Sequence, residues 1–422
     1  MMKTTRQNDA DVIIIGAGAA GLYCAARLSY FGMNVLILEH NNRVGKKLLI
    51  TGKGRCNVTN NCSSAEIMAN IPTNPKFMYS ALSECTPQDV MEYFESLGVA
   101  LKTERGNRVF PQSDKSLDIV NALERDLKKK GVRIICKKAR ELIVEDGVCV
   151  GVKTDEGSFF AENIVVATGG KSYPATGSTG DGYKMAKAVG HTVTELSPSL
   201  VPLVTKESYP VDMMGLSLKN VKLRLFKGDT KKPVYEEQGE MLFTHFGVSG
   251  PLVLSASCHI EKASDISKIG YRLEIDLKPA LDEQTLDKRI QRDFAEFSTR
   301  DFKNSLGKLL PAKMIPVIVM LSGIDGETKV NQITREQRLA LVSLIKAFPM
   351  TVKAFRPIEE AIITSGGIKV SEINPKTMKS KIVGNLFFIG EILDVDAYTG
   401  GFNLQIAFAT ANACAQGIVY GL

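Results

Sequence analysis

The chain has 422 residues, 44% of them apolar and 23% charged, enough to bury a large core and to divide into more than one domain. No stretch reaches the roughly 20 unbroken apolar residues of a membrane span, and the formal charge of +7 is modest, with short, dispersed lysine clusters at Lys128 to Lys130, Lys137 and Lys138, and Lys231 and Lys232, so neither a membrane nor a nucleic-acid partner is expected. Eight cysteines without a CxxC or a zinc knuckle, and an N-terminal MMKTTRQNDAD without an apolar signal core, set reduced thiols, no metal site and the cytoplasm as the expectation.

Residues 11 to 15, DVIII, read as a buried strand that runs at once into GAGAAG. Behind it LYCAARLSYFG places Leu22, Ala25, Ala26 and Leu28 on one buried helix face, and NVLILE follows as a second buried strand. This βαβ opening carries G-x-G-x-x-G in its proper context, which raises six weak residues to a dinucleotide fingerprint. Gly16 allows the tight turn, Gly18 lets backbone approach a diphosphate, and Gly21 permits close packing of helix on strand. Ala19 and Ala20 open the helix whose N-terminus faces that anion. Glu39 ends the second strand 18 residues after Gly21, where a carboxylate accepts from ribose hydroxyls and disfavours a 2′-phosphate.

Farther along, Thr86 and Pro87 read as the N-cap and first residue of a helix ending near Gly98, and Lys115 to Lys130 as another helix. VRIIC, ARELIVE, VCVGVKT and NIVVAT follow as strands. From about Pro198 to Asp276 short alternating stretches such as LKNVKLRLF and YRLEIDL suggest a small β-rich part, and from Glu283 to Phe348 the pattern turns helical. Strand-like runs return after Pro349, notably NLFFIG, before a last helix from about Asn403 to Val419. The expected fold is α/β: a Rossmann-like domain over 1–196 and 351–422, interrupted by a β-rich, barrel-like part at 197–278 and a helical part at 279–350.

Three later runs have the make-up of ligand-facing loops. In TGKGRCN, Gly52 and Gly54 let the chain come close to a ligand, Arg55 offers a planar fork of donors to a diphosphate or an electron-rich ring edge, and Asn57, Thr59 and Asn60 add short polar groups. NIVVATGG delivers Thr168, Gly169 and Gly170 from a buried strand. LFFIG delivers Gly390 and Glu391, with Asp394 three residues after Glu391, and TGGFNLQ opens the last helix so that Gly401, Phe402 and Asn403 present N–H groups where negative charge is favoured.

The runs VGKKLLITGKGRCNVTN, ATGGKSYPATGSTGDGYKMAKAVGH, GEMLFTHFGVSGP and IGEILDVDAYTGGFNLQIA closely resemble a bacterial family of FAD flavoproteins. That family includes enzymes described as aminoacetone oxidases and as bile-acid 3-dehydro-Δ4,6-reductases, within the glutathione-reductase-like superfamily with two dinucleotide-binding domains. The resemblance spans nearly the whole chain and implies FAD as cofactor. It carries FAD contacts onto the fingerprint and the loops above, onto Lys46, Lys47 and Cys56, and onto Ala139. The chain departs from the wider superfamily in two places: Glu391 stands where many members have an aspartate, leaving Glu391 or Asp394 for the ribityl chain, and Ile406 replaces an expected tryptophan.

Flavin carries the difficult electronic step, so the protein supplies position, electrostatics and a proton. The leading expectation is reduction of an activated carbon-carbon double bond in a hydrophobic small molecule, with NADPH or NADH as a transient electron donor because no second G-x-G-x-x-G occurs. Tyr398 and His245 are the candidate proton donors, and Arg108 a candidate for orienting an anionic substrate. The alternatives are a flavin amine oxidase using O₂, a thiol-disulfide reductase acting through Cys56 and Cys62, and a non-catalytic FAD sensor. Met213, Met214, Met241, Phe243 and Phe246 in the insertion are candidates for pocket or core.

Overall fold

The computed structural model describes residues 7–261 and 266–421, which divide into two compact units, one running up to Ser199 and resuming at Ile358, the other spanning Leu200–Pro357. In the first unit the β-branched run Ala10–Ile15 (β1) is almost wholly buried and pairs in parallel with Val35–Glu39 (β2) on one side and the end of Gly157–Val166 on the other. Arg133–Cys136 adds a parallel strand beyond β2, and Leu386–Phe388 adds one beyond Val166, with Phe388 opposite Val166. The antiparallel strands Ala139–Glu145 and Val148–Thr154 complete a seven-stranded sheet. Near-continuous apolar strands are what a sheet covered on both faces requires.

The helix Ala19–Tyr30 (α1) buries Leu22, Ala25, Ala26 and Leu28 and packs beside the last helix, Phe402–Tyr420, where the Tyr23 and Phe408 rings stand 5.1 Å apart. Thr86 caps Pro87–Ser96 through a reciprocal capping box with Asp89, so the N-cap and N1 proline mark the start of that helix.

In the second unit, strands 203–205, 247–249, 235–244, 217–226, 272–276 and 348–355 form a closed barrel. Phe348–Phe355 closes it, pairing Leu273 with Met350 and Ile275 with Phe348, so the barrel reaches past residue 351, where the sequence suggested a return to the nucleotide-binding part. The reason is the alternation in FPMTVKAF: Phe348, Met350 and Val352 all face the interior. Helices Glu283–Glu296, Ile315–Ser322 and Arg335–Lys346 share one apolar core with the barrel through Leu286, Ile318 and Ile345. Met213, Met241 and Phe243 belong to that core, whereas Met214 is 52% exposed. Among the described residues no helix is long and apolar enough to cross a membrane, and no cluster of His, Cys, Asp or Glu is arranged to hold a metal.

Candidate cofactor site

Ligands of open parallel sheets bind outside the carboxyl ends of the strands. In the first unit those ends are Ile15, Glu39, Val166 and Phe388, and the residues that follow them line a single cleft: Gly16 to Ala20, His40 and Asn41, Ala167 to Gly169, and Ile389 to Glu391. Gly16 has φ +104°, and a Cβ there would lie 2.6 Å from the Ala167 carbonyl oxygen. No larger residue fits that turn. A Cβ on Gly21 would fall inside the van der Waals shell of the Gly16 carbonyl, so α1 and β1 approach only because position 21 lacks a side chain. Gly18, with nothing within 4 Å of where its Cβ would be, faces open space at the α1 N-cap.

Glu39 is buried and hydrogen-bonded at both oxygens: Oε2 accepts from the Ala17 N–H at 2.8 Å, and Oε1 from the Asn41 backbone and side-chain N–H groups, each at 2.8 Å. Asn41 in turn accepts from Lys46 Nζ at 2.8 Å and donates to the Thr176 carbonyl at 3.2 Å. The segment from Thr176 to Asp181 thereby forms the wall beyond Glu39, with Asp181 paired to Lys138 at 3.1 Å. The segment belongs to the run ATGGKSYPATGSTGDGYKMAKAVGH, in which the sequence assigns contacts only to Thr168, Gly169 and Gly170. Its signal was Gly177 and Gly180, both at positive φ among short polar residues.

At the other end of the cleft Lys47 donates to Ser172 Oγ at 2.7 Å and Glu391 Oε2 at 2.6 Å, while Glu391 Oε1 accepts from the Thr364 N–H at 3.0 Å and Ser172 Oγ at 3.1 Å. Gly170 makes room for this cluster, since a Cβ would sit 2.7 Å from Glu391 Oε1. Nothing in the sequence marked Thr364. The last helix begins at Phe402 behind Gly401, whose φ is +98°, and Asn403 and Leu404 line the cleft. Asn403 braces the preceding loop, accepting from the Ala397 N–H at 2.9 Å and donating to the carbonyls of Ala397 at 2.8 Å and Tyr398 at 3.2 Å. Two helix N-termini, those of α1 and of the last helix, thus open on one cleft, an arrangement that favours anions.

These residues fit FAD. Gly18 leaves open space at the start of α1, and the N-termini of α1 and of the last helix both face the cleft, a donor set suited to the diphosphate of FAD. Gly390 lets the turn pack closely on α1, since a Cβ there would lie 2.9 Å from Ala20 Cβ. Of the residues proposed from sequence, Gly16, Gly18, Ala19, Ala20, Glu39, Lys46, Lys47, Ala139, Thr168, Gly169, Gly390, Glu391 and Asn403 line this cleft.

The TGKGRCN loop reaches that lining through Thr51 alone, and Gly52 to Asn57 lie apart from it. Its residues Gly52, Lys53, Gly54 and Cys56 all have positive φ, so its glycines serve a tightly coiled turn. Arg55 stacks 4.0 Å from the Phe110 ring centre and bonds Glu104 and Asp114, which raise its pKa further in that order. Its donors are engaged by those carboxylates. Thr59 donates to Gln405 Oε1 at 2.7 Å, and Asn60 to the Gly400 carbonyl at 2.9 Å, so the end of this loop braces the start of the last helix. A Cβ on Gly401 would lie 2.9 Å from Thr59 Cα. Gly21, Gly170, Phe402 and Gly401 shape the cleft from behind it. Asp394 and Tyr398 sit half-buried in the loop before the last helix, and burial, followed by Glu391 and then Asp394, raises the Tyr183 hydroxyl pKa. His245 is exposed at the tip between two barrel strands, against Phe246, and Arg108 is exposed beside the Arg105 carbonyl.

The two thiols of the disulfide-reductase alternative are poorly suited to it. Burial pushes Cys56 up to about 12, and burial followed by Glu66 pushes Cys62 up to about 11, so both stay protonated at neutral pH.

A family model described as the HI0933-like protein Rossmann domain matches residues 10–417. The chain is 30% identical to a 3-dehydro-bile acid Δ(4,6)-reductase of Clostridium scindens, over 94% of this chain and 96% of that one. It is 31% identical to a ribosomal RNA dihydrouridine synthase of Haemophilus influenzae, over 96% of this chain and 98% of that one. Among solved structures, a 3-ketosteroid Δ1-dehydrogenase from Sterolibacterium denitrificans superposes with a TM-score of 0.54 at 13% identity, covering 99% of this chain and 100% of that one. At that identity the likeness is one of fold.

Proposed function

The chain belongs to the HI0933-like Rossmann family and is an FAD-dependent oxidoreductase, and from that premise we propose that it reduces a carbon-carbon double bond conjugated to a carbonyl, with NADH or NADPH as the electron source. The observation that carries this reading is that two relatives matched over nearly their whole length, a 3-dehydro-bile acid Δ(4,6)-reductase and a ribosomal RNA dihydrouridine synthase, are both named for adding two hydrogens across such a bond. Bound FAD would supply the two-electron carrier, taking up and releasing hydride at N5.

The chain's own residues have definable tasks in this scheme. Glu39 would hold the ribose hydroxyls, and the N-termini of α1 and the last helix would stabilise negative charge along the cleft. Glu391 is our choice over Asp394 for contact with the ribityl chain, because it lines the cleft. Tyr398, on the loop braced by Asn403, is our candidate for delivering a proton to the carbon next to the one that takes hydride. The nicotinamide nucleotide is a transient visitor, since the chain has one fingerprint.

The leading substrate is a hydrophobic enone of the steroid type. A second reading, a uridine in ribosomal RNA, is favoured by the relatives of that name and by charge: residues 200–357 hold 24 Lys and Arg against 19 Asp and Glu, an excess of five. Enzyme reduced anaerobically is mixed with a 3-oxo-4,6-diene bile acid or with ribosomal RNA carrying the unmodified uridine. Flavin reoxidation with a product heavier by two hydrogens identifies the acceptor. Reoxidation by neither, and turnover of a primary amine with O₂ instead, would replace the reading with the amine oxidase.

A further inference from the structure

Lys47 is held within the cleft. Its ammonium meets Glu391 Oε2 at 2.6 Å and Ser172 Oγ at 2.7 Å, and the two charged side chains are only 21% and 22% exposed. Glu391 is fixed at its other oxygen by the Thr364 N–H and by Ser172, so the carboxylate cannot swing away from the lysine without breaking two further hydrogen bonds. The cluster gathers four segments: the short helix Lys46–Ile50, the loop after Val166, the strand Ile363–Ser365 and the turn at Gly390. A pair that merely tied segments together would serve as well outside the cleft. This one lines it.

A close pair of opposite charges has a small field at a distance, whereas either partner alone in a partly desolvated site has a large one. Reduction adds negative charge to flavin, so a nearby cation favours the reduced form and a nearby carboxylate opposes it. We propose that the Lys47–Glu391 pair sets the reduction potential of bound FAD: Lys47 supplies the charge that favours the reduced cofactor, Glu391 offsets it, and Glu391, Ser172 and Thr364 position it. The inference rests on the FAD assignment of the preceding subsection and not on its choice of acceptor.

The test is the midpoint potential of the purified holoenzyme, measured spectrophotometrically without substrate. Lys47→Met leaves a bare carboxylate and lowers the potential; Glu391→Gln leaves a bare ammonium and raises it. A tenfold change in the preference for reduced over oxidised cofactor is about 30 mV for a two-electron couple, and each variant moves by at least that much in its own direction. Lys47→Arg, which keeps the charge, stays near wild type, and Ser172→Ala, which keeps both charges, moves less than either. Shifts of the same sign, or no shift in either variant, overturn the proposal. Loss of FAD from Lys47→Met would make the lysine a holding group and overturn it as well. Because no acceptor is present, failure here is distinct from failure of the proposed reaction.

Discussion

Two glycines three residues apart in the fingerprint should fail in different ways when each is changed to alanine. At Gly21 the new methyl would enter the shell of the Gly16 carbonyl and lie 3.2 Å from its carbon and 3.4 Å from Ala167 Cβ. Carbon contacts are comfortable at about 3.5–4.0 Å and backbone cannot turn aside as a side chain does, so α1 must withdraw from β1. Overpacking of this kind costs up to about 3 kcal/mol, against about 1 kcal/mol gained by replacing a helical glycine. The net is a destabilisation of about 2 kcal/mol in the apoprotein. At Gly18 φ is −83° and the methyl would meet no protein atom within 4 Å. Losing glycine at the N-cap costs about 1 kcal/mol or less, and restricting the unfolded chain returns about 0.4–1 kcal/mol. Apoprotein stability is therefore nearly unchanged, while the methyl occupies the approach to the diphosphate and weakens FAD binding at least about tenfold, or 1.4 kcal/mol. Urea denaturation of the apoproteins and FAD titration by flavin fluorescence measure the two quantities separately. Equal destabilisation by both variants, or wild-type FAD affinity in Gly18→Ala, would refute this account of the fingerprint.

Four other outcomes follow from the geometry. Arg55→Met should retain FAD, because its partners Glu104 and Asp114 are solvent-accessible carboxylates outside the cleft; loss of FAD would return the arginine to the cofactor. Iodoacetamide at neutral pH should label the exposed Cys136 before the buried Cys56, and Cys56→Ser and Cys62→Ser should leave flavin reduction intact. Cys56 and Cys62 ionise near 9 when unfolded and at about 12 and 11 when folded, so their stabilising contribution is whole below pH 9 and is lost as pH rises through that window, which denaturation midpoints across alkaline pH will report. His191, whose pKa burial lowers against the opposing pull of Glu372, bonds Ser380 at 2.8 Å; the unfolded chain takes up its proton first, so stability falls as pH drops below about 6.5, and His191→Gln should flatten that acid limb.

The adenosine end of the site was legible because its chemistry is local. Gly16, Gly18, Gly21 and Glu39 lie within one βαβ unit, and the backbone geometry that each glycine permits is a property of the residue itself. The far walls were partly legible, since Thr168, Gly169, Gly390 and Glu391 each follow shortly after the end of a buried strand, and parallel pairing brings strand ends together. Partners chosen by tertiary packing were not. Arg55 reads as an anion ligand until Glu104 and Asp114 are seen beside it, and Thr364 acquires meaning only through Glu391. The barrel showed the same pattern: alternation identified its strands, but FPMTVKAF comes directly after the helix Arg335–Lys346, and only pairing with 272–276 and 203–205 assigns it to the barrel.

The central claim is that reducing equivalents enter from a nicotinamide nucleotide and leave to a conjugated double bond. Anaerobic stopped-flow mixing of the FAD-loaded enzyme with NADH or NADPH tests it most directly. Rapid bleaching of the flavin by one of them, followed by recovery of colour on adding the enone or the uridine acceptor, is the predicted result. Flavin that stays oxidised with both nucleotides and bleaches with a primary amine would contradict it.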